Sequence, residues 1–279
     1  MSKIKVVTDS TADLTKEEIE EYGITIVPLS IHIDGEVYTD LVDIQPVEFL
    51  EKMAVSHELP KSSQPSAGTF SQVYDELGKD GSEVISIHMT GGMSGTVKSA
   101  EAAADMTDTV VTVLDSRYIS HALTFQVIEA AKMAKQGKTM SEIVEHVEDV
   151  RKKTMLFVVV DKLDNLVKGG RIGKGKAILG SLLNIKPIAS LQDGVYTPVG
   201  KARSHKQVAA QLFSSFKEDT AGKIVKGVGI SHAHGLAMAD PLKRLIEESG
   251  ITDIRFSFTS PVVSTHTGEG AIGFMYYTE

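Results

Sequence analysis

A strand, a turn of glycines and hydroxyls, and a helix follow one another between residues 85 and 104, and this stretch constrains the chain most strongly. The turn reads Thr90-Gly91-Gly92-Met93-Ser94-Gly95-Thr96. Glycines let a backbone approach a ligand closely, and the first amides of a helix lack partners within it. These amides and the hydroxyls of the turn are suited to binding an anion. A plain strand-to-helix connection capped by Ser94 explains the same residues equally well.

Two better-known loops do not fit this turn. A phosphate-binding P-loop needs a lysine after its last glycine, whereas Gly95 is followed by Thr96. A nucleophile elbow has the pattern G-x-S-x-G, and here the final glycine is replaced by the same threonine. The turn therefore requires neither a nucleotide phosphate nor a nucleophilic role for Ser94.

Composition excludes several classes of function. The chain has 279 residues, a net charge of −8 and no cysteine or tryptophan. The negative charge argues against nucleic acid or an anionic membrane surface as the main partner. The absence of cysteine excludes disulfides and thiolate chemistry. Because we find no secretory segment and no apolar run of spanning length, we expect a cytoplasmic protein without stable membrane insertion.

The order of predicted elements indicates an α/β fold with two domains. Strands alternate with helices up to about residue 154, which favours a mainly parallel sheet. Capping boxes predict helix starts at Thr15 and Thr139, and Asp34-Gly35 predicts a tight hairpin. We place the domains at residues 1–154 and 155–279, with a mixed sheet in the second and a ligand between them. A buried strand is expected over residues 24–33.

Two further segments are rich in hydroxyl groups. Ser62 and Ser63 lie between two prolines in a predicted loop, where Ser66 is expected to cap the next helix. His266 lies in a predicted glycine-rich loop at residues 263–270, and a single histidine there is more often structural than functional. His232 and His234 have the spacing of metal ligands, but no third ligand is placed with them, so no metal is expected.

A basic, glycine-rich segment covers residues 168–176. It is predicted to be too flexible for a helix, and an apolar helix is expected at residues 177–183. The cations suit docking of an acidic partner or a phosphate, although a solvated loop is the commoner explanation of such a charge run.

If the three hydroxyl-rich segments converge, they form a small anion pocket with neutral donors and at most one titrating group. This composition suits binding a carboxylate better than cleaving a bond. A serine acyl hydrolase with Ser94 as nucleophile and His266 as base is the main alternative. It would need Asp9 or Asp115 to align the histidine. A protein that binds a phosphate ligand through the basic segment is a third possibility.

The chain resembles the DegV family of bacterial fatty-acid-binding proteins over nearly its whole length. Seven segments match that family in order and spacing: Thr8-Asp9-Ser10-Thr11-Ala12-Asp13-Leu14, Ser62-Ser63-Gln64-Pro65-Ser66, Met93-Ser94-Gly95-Thr96, Leu114-Asp115-Ser116, Lys168-Gly169-Gly170-Arg171-Ile172, Leu183-Asn184-Ile185-Lys186-Pro187-Ile188 and Thr265-His266-Thr267-Gly268. Each segment alone is weakly specific.

The resemblance implies a two-domain DegV-like fold that buries a long-chain fatty acid. The residues implied for its carboxylate are Ser62, Ser63, Ser94, Gly95, Thr96 and His266. It further implies a lipid carrier of bacterial lipid metabolism with no catalytic residues, cofactor or metal. A separate ATP-dependent fatty acid kinase would convert the presented acid into an acyl phosphate. Arg171 would then help to dock that kinase.

The chain departs from the family pattern at three places. Ser62 replaces a usual threonine, Thr90-Gly91 replaces a frequent serine pair, and Glu269 replaces a frequent proline. The first change keeps the hydroxyl, the second removes a donor, and the third puts a negative charge near His266. For the acyl tail, the expected lining is the apolar helix at 178–183 with strands near Ile188 and Phe256.

Overall fold

The computed structural model describes residues 3–178 and 185–279. Its strands are β1 (Ile4–Asp9), β2 (Thr25–Val27), β3 (Ser30–Ile33), β4 (Glu36–Thr39), β5 (Lys61–Ser63), β6 (Glu83–His88), β7 (Val111–Asp115), β8 (Thr154–Val159), β9 (Lys186–Ser190), β10 (Thr197–Ala202), β11 (Val225–His232), β12 (Arg255–Phe258) and β13 (Ile272–Thr278). The fold is α/β, as predicted.

Helices connect most of these strands. They are α1 (Lys16–Tyr22), α2 (Pro46–Val55), α3 (Ala67–Gly78), α4 (Thr96–Ala104), α5 (Ser120–Lys135), α6 (Met140–Lys152), α7 (Asp164–Lys168), α8 (His205–Thr220), α9 (Leu236–Glu248) and α10 (Pro261–Thr267). The capping boxes at Thr15 and Thr139 are both present, so these helix starts are confirmed. No helix among the described residues has both the length and the apolar composition needed to cross a bilayer.

A four-stranded parallel sheet forms the N-terminal half, in the order β2-β1-β6-β7. Val7 of β1 lies beside Thr25 on one side and Ser86 on the other. Helices cover the connections, as parallel pairing requires. The central strands are buried on both faces, so Val7 and Ile85 are both completely excluded from solvent. The mainly parallel N-terminal sheet is therefore confirmed.

A second, three-stranded antiparallel sheet corrects two predictions in this half. The strand expected over residues 24–33 is divided into β2 and β3, because Pro28 lacks the N–H that would continue the ladder. Ser62 and Ser63 lie in β5 rather than in a loop, and β5 pairs antiparallel with β3. The Asp34-Gly35 hairpin between β3 and β4 is confirmed, with both residues at positive φ.

The C-terminal half contains a six-stranded mixed sheet in the order β10-β9-β8-β13-β11-β12. Only the β11–β12 pairing is parallel. The prediction of a mixed sheet is therefore confirmed. A hairpin at Asp193-Gly194 joins the antiparallel strands β9 and β10, with φ of 53° and 77° at these residues.

Two segments predicted as irregular are helical. His266 lies on α10 and not in a glycine-rich loop, because Ser260 caps a short helix that ends only at Gly268. Within the basic segment, residues Gly173–Ile178 form a 3₁₀ helix, so the expected absence of helix is wrong there. Most of the apolar helix expected at residues 177–183 lies outside the described residues.

Helix α5 lies between the two larger sheets. It contacts β1 and β6 on one side and β8, β11 and β13 on the other. Its middle is fully buried, including polar residues such as Thr124 and Gln126. One hydrophobic cluster therefore extends through both halves, from Val6 to Met275. The cavity of the candidate site is lined in part by residues of this cluster, among them Ile119, Val158 and Val262.

Candidate ligand-binding site

A cavity of about 300 Å³ opens where the small antiparallel sheet, the turn at residues 90–96 and α10 come together. Its polar lining is formed by Ser62, Ser63, Gln64, Ser94, Arg171, His266 and Thr267. Its apolar lining is formed by Leu29, Met89, Met93, Ile119, Val158, Leu166, Leu191, Tyr196, Val262 and Val263. The cavity is thus polar at one end and apolar over most of its length.

Ser62 and His266 meet at the polar end, although 204 positions separate them in the chain. The Ser62 hydroxyl lies 2.7 Å from His266 Nε2. Burial, together with the positive charge of nearby Arg171, lowers the pKa of His266 to about 4. The imidazole is therefore neutral near pH 7. Within the described part of the chain, its Nδ1 atom is buried and has no hydrogen-bond partner.

The backbone amides of the turn are mostly occupied within the protein. Gly91 donates to Asp115, and Gly92 donates to the Thr90 hydroxyl. Met93 and Ser94 both donate to the Thr90 carbonyl. The amides of residues 91–94 are therefore engaged within the protein, and the side-chain hydroxyls of the turn are the better candidates for anion binding. Anion binding by the first amides of α4 stays a prediction.

Ser94 is the hydroxyl-bearing residue of the turn that lines the cavity, next to Met93. Its hydroxyl lies 2.8 Å from the Thr96 hydroxyl and accepts a hydrogen bond from the Thr96 amide at 3.2 Å. Gly95 occupies the N-cap position of α4 and does so without a side-chain cap. Neither Gly95 nor Thr96 is among the described residues that line the cavity. Thr96 contacts Ser94 instead, so direct contact of Gly95 or Thr96 with a ligand stays a prediction.

Ser63 differs from Ser62 because successive residues of a strand face opposite sides. Its hydroxyl lies 3.0 Å from His32 Nε2, on the more exposed side of β5. The residue still contributes to the cavity wall. Ser63 is therefore at the edge of the site, whereas the hydroxyl of Ser62 is paired with His266.

Arg171 adds a cation to the polar end. Its Nε donates to the Met93 carbonyl at 3.0 Å, and its Nη1 donates to the Gly169 carbonyl at 2.7 Å. The sequence interpretation of a pocket with only neutral donors is therefore wrong. The sequence shows that the segment is basic. It cannot show that Arg171 contacts Met93, because 78 positions separate these residues in the chain.

Neither aspartate considered for alignment of His266 reaches that histidine. Asp115 accepts hydrogen bonds from the amides of Gly91 and Arg117. Asp9 is paired with His88 at 3.1 Å. Glu269 stands where the family often has proline. Its carboxylate lies 3.3 Å from Nδ1 of His234. The structure therefore contains no Ser-His-Asp arrangement built on His266 among the described residues.

The apolar wall differs from the predicted one. Ile188 belongs to the hydrophobic cluster that packs beneath α8 and α9, and Phe256 packs against that same cluster. The side chains of Ile188 and Phe256 face away from the cavity, because side chains alternate across the sheet. Of the strands predicted near these residues, β9 contributes through Leu191, which follows it directly and lines the cavity. Residues 179–183, most of the helix predicted to line the tail, lie outside the described residues. Ile119 and Val262 were missed since neither belongs to a periodic apolar pattern.

The described residues contain no group of three or more histidine or acidic side chains that could hold a metal ion. His232 instead packs against the rings of Phe256 and Phe258, with ring centroids 5.2 Å and 4.4 Å apart. Its spacing from His234 therefore reflects aromatic packing at the end of β11.

The fold and this cavity define an α/β protein with a largely apolar internal cavity. The chain belongs to the DegV family, described as "Uncharacterised protein, DegV family", whose sequence profile matches residues 3–279. A DegV domain-containing protein of Listeria monocytogenes is 45% identical over 281 residues, covering 100% of both chains.

Solved structures show the same fold. A DegV family protein from Thermus thermophilus, described by its fatty acid binding, superposes with a TM-score of 0.94 at 31% identity, covering 99% of this chain and 100% of that one. DegV of Bacillus subtilis, described as a fatty acid binding protein, superposes with a TM-score of 0.92 at 33% identity, covering 100% of both chains.

Proposed function

We propose that this protein binds one long-chain fatty acid in the cavity, between domains formed by residues 1–154 and 155–279. The observation that carries the proposal is the division of the cavity into a hydroxyl-rich end and an apolar remainder. The fatty acid binding described for its structural relatives supports the same ligand. The carboxylate would lie near Ser62, Ser94, His266 and Arg171, and the tail along the apolar wall.

A carboxylate can be held here because donors offset the loss of water. Burying an anion is costly unless it receives hydrogen bonds. The neutral His266 donates its Nε2–H to the Ser62 oxygen in the tautomer that we propose, which leaves the Ser62 hydrogen for the ligand. Ser94 can turn its own hydrogen to the same anion while its oxygen still accepts the Thr96 amide. The guanidinium of Arg171 favours the charged form of the ligand.

Burial of the acyl tail is sufficient for tight binding. Each methylene removed from water contributes about 0.8 kcal/mol, so a tail of about 14 methylenes contributes roughly 11 kcal/mol before losses. Micromolar affinity requires about 8 kcal/mol. The tail therefore supplies most of the affinity, and the polar end orients the acid and selects for a carboxylate.

The geometry does not favour the acyl hydrolase. The serine on His266 is Ser62, whereas the hydroxyl of Ser94 is engaged by Thr96. The Nδ1 atom of His266 has no orienting acid among the described residues. A general base without such a partner lacks the arrangement that activates a serine. We therefore propose a lipid carrier and not an enzyme.

Extraction of the protein tests the ligand class directly. The expected result is one free long-chain fatty acid per chain, found by mass spectrometry of an organic extract from protein purified without detergent. Delipidated protein should take up palmitate in equal stoichiometry. An empty protein that fails to bind palmitate, or one that turns over an activated ester, would contradict the proposal.

We further propose that the bound carboxylate is presented to a separate ATP-dependent fatty acid kinase, which Arg171 helps to dock. Arg171→Ala is expected to slow acyl phosphate formation by about tenfold, the usual size of a lost charged contact between proteins. Its effect on palmitate affinity should be smaller, because the residue's hydrogen bonds go to the Met93 and Gly169 carbonyls.

A matched control for this variant lies three residues away. Lys174→Ala removes an exposed cation from the same basic segment and should change neither palmitate binding nor acyl phosphate formation. Both quantities are measured on the same preparations, with palmitate binding by equilibrium dialysis. The docking role is wrong if Arg171→Ala lowers fatty-acid affinity alone and leaves the rate at saturating fatty acid unchanged.

A further inference from the structure

Two carboxyl groups of the N-terminal half, those of the fully buried Asp40 and the partly buried Asp13, lie at the start of α10, the helix that carries His266. Asp40 accepts a hydrogen bond from the Val262 amide at 3.3 Å. Ser260, the N-cap of α10, lies close enough to both acids to affect them: its amide lowers the pKa of Asp13 and its hydroxyl lowers the pKa of Asp40. The first turn of α10 is therefore attached to residues of the opposite half.

Asp40 is also connected by hydrogen bonds to residues that line the cavity. Asp40 accepts the Ser10 hydroxyl at 2.6 Å, and the Ser10 oxygen accepts the Leu29 amide at 3.1 Å. Leu29 and Val262 both line the cavity. The hydrogen-bonded path from Leu29 through Ser10 and Asp40 to Val262 thus joins two of its walls.

Asp13 is connected by hydrogen bonds to α5 and β11. It accepts the hydroxyl of Ser120, the first residue of α5, and that hydroxyl lies 2.8 Å from Ser231 of β11. Ser120 is held in the left-handed region at φ 58°, which only a constrained environment stabilises for serine. Asp13 therefore ties α10 to both α5 and the six-stranded sheet.

The two acids carry no compensating cation. The titratable groups around them are each other and the Asp9–His88 pair at the ends of β1 and β6. Among the described residues, neither Asp13 nor Asp40 forms an ion pair with a lysine or arginine. Burial, with repulsion between neighbouring carboxylates, raises the pKa of Asp13 and that of Asp40 to about 7.

We propose that Asp13 and Asp40 are positioning residues of the headgroup site, and that the charge on this pair sets the affinity for the fatty acid. The inference rests on the proposed function. With one proton retained, the pair accepts the hydrogen bonds of Ser260 and Val262 without repulsion. With both groups ionised, repulsion in a dry environment weakens the attachment of α10, and with it the placement of His266 and Val262.

The direction of the pH dependence follows from the raised pKa values. A carboxyl whose pKa is raised by folding stabilises the native state while protonated, and this stabilisation is lost as pH rises through about 7. His266 has already lost its proton at this pH, because its pKa is lowered to about 4. A simple carboxylic acid has a pKa of about 4 as well. The ionisation of the acid pair therefore changes within the range from pH 6 to 8.5.

Equilibrium dialysis with radiolabelled palmitate at pH 6.0 to 8.5 tests the proposal. The wild-type dissociation constant is expected to rise at least roughly fivefold over this range, the lower end of usual coupling between sites. Asp40→Asn imitates the protonated acid and should bind with the low-pH affinity throughout. If Asp40→Asn is poorly folded, Asp13→Asn tests the same expectation, because it removes the charge of the other acid.

Asp43→Asn is the matched control, because Asp43 is an exposed carboxylate in the same loop that accepts the Thr39 amide. It should keep the wild-type pH profile. Palmitate labelled with ¹³C at the carboxyl provides a second readout, since its NMR shift should move with the wild-type transition and stay constant in Asp40→Asn. A flat wild-type profile, or a folded Asp40→Asn with the wild-type profile, overturns the inference. Absence of palmitate binding at every pH instead overturns the proposed function, and the inference with it.

Discussion

Replacing both serines of the polar end, Ser62→Ala with Ser94→Ala, is expected to weaken palmitate binding by about 100-fold. A hydrogen bond to a charged group contributes about 1.5 kcal/mol or more, and two such bonds give at least this factor. Each single variant should lose roughly tenfold. The measurement is equilibrium dialysis of palmitate at pH 6.0, where the acid pair at the start of α10 retains its proton.

Ser63→Ala is the control for this experiment. It removes a hydroxyl one position along the same strand, but that hydroxyl is directed to His32. Its effect should be about twofold or less, as for a surface substitution. Hexadecanol, which has the same tail without the charge, should bind the wild type and the double variant almost equally. If the double variant holds palmitate as tightly as the wild type, the carboxylate lies elsewhere.

Asp9→Ala is expected to lower the free energy of unfolding by about 3–5 kcal/mol, because it removes a buried carboxylate and leaves several buried hydrogen-bond donors without an acceptor. The Asp9 carboxylate is fully buried and accepts hydrogen bonds from the Thr11 amide at 3.0 Å, the Thr11 hydroxyl at 2.7 Å and the Met89 amide at 2.8 Å. It also contacts His88, whose other nitrogen lies 2.7 Å from the Ser86 hydroxyl. Urea denaturation measures the loss.

The pH dependence of this variant distinguishes the charge from packing. Burial opposes ionisation of Asp9, but its hydrogen bonds with His88, Thr11 and Met89 hold the pKa below the ordinary value. A lowered pKa stabilises the native state above about pH 4, and this is lost as pH falls through the folded value. The difference between wild type and variant should therefore shrink in acid. Asp80→Ala removes an exposed carboxylate paired with Lys5 and should change the free energy of unfolding much less than Asp9→Ala does.

Met89 connects this buried pair to the ligand site. Its amide is bound by Asp9 directly before the turn begins at Thr90, and its side chain lines the cavity. The fraction of the Asp9→Ala variant that remains folded should therefore bind palmitate less tightly than the wild type. Equal affinity in the folded fraction would show that Asp9 serves stability alone.

Local patterns in the sequence were sufficient for most helices and strands. A threonine followed three residues later by glutamate satisfies the first amides of a helix from within the same turn, so Thr15 and Thr139 could be identified without tertiary information. Patterns failed where pairing partners were distant. The composition around Ser62 and Ser63 is typical of a loop, but these residues form a strand because they pair with the edge of β3.

The sequence by itself determined the α/β class, the parallel N-terminal sheet and the family resemblance, because these depend on hydrophobic periodicity, capping residues and motif spacing along the chain. Only the tertiary structure decided what each polar residue contacts. It paired Ser62 with His266, directed Arg171 to Met93 and placed Asp13 and Asp40 against the start of α10. Such contacts depend on how the sheets and α5 pack together, and a hydrogen bond across 200 residues leaves no local pattern for the sequence to reveal.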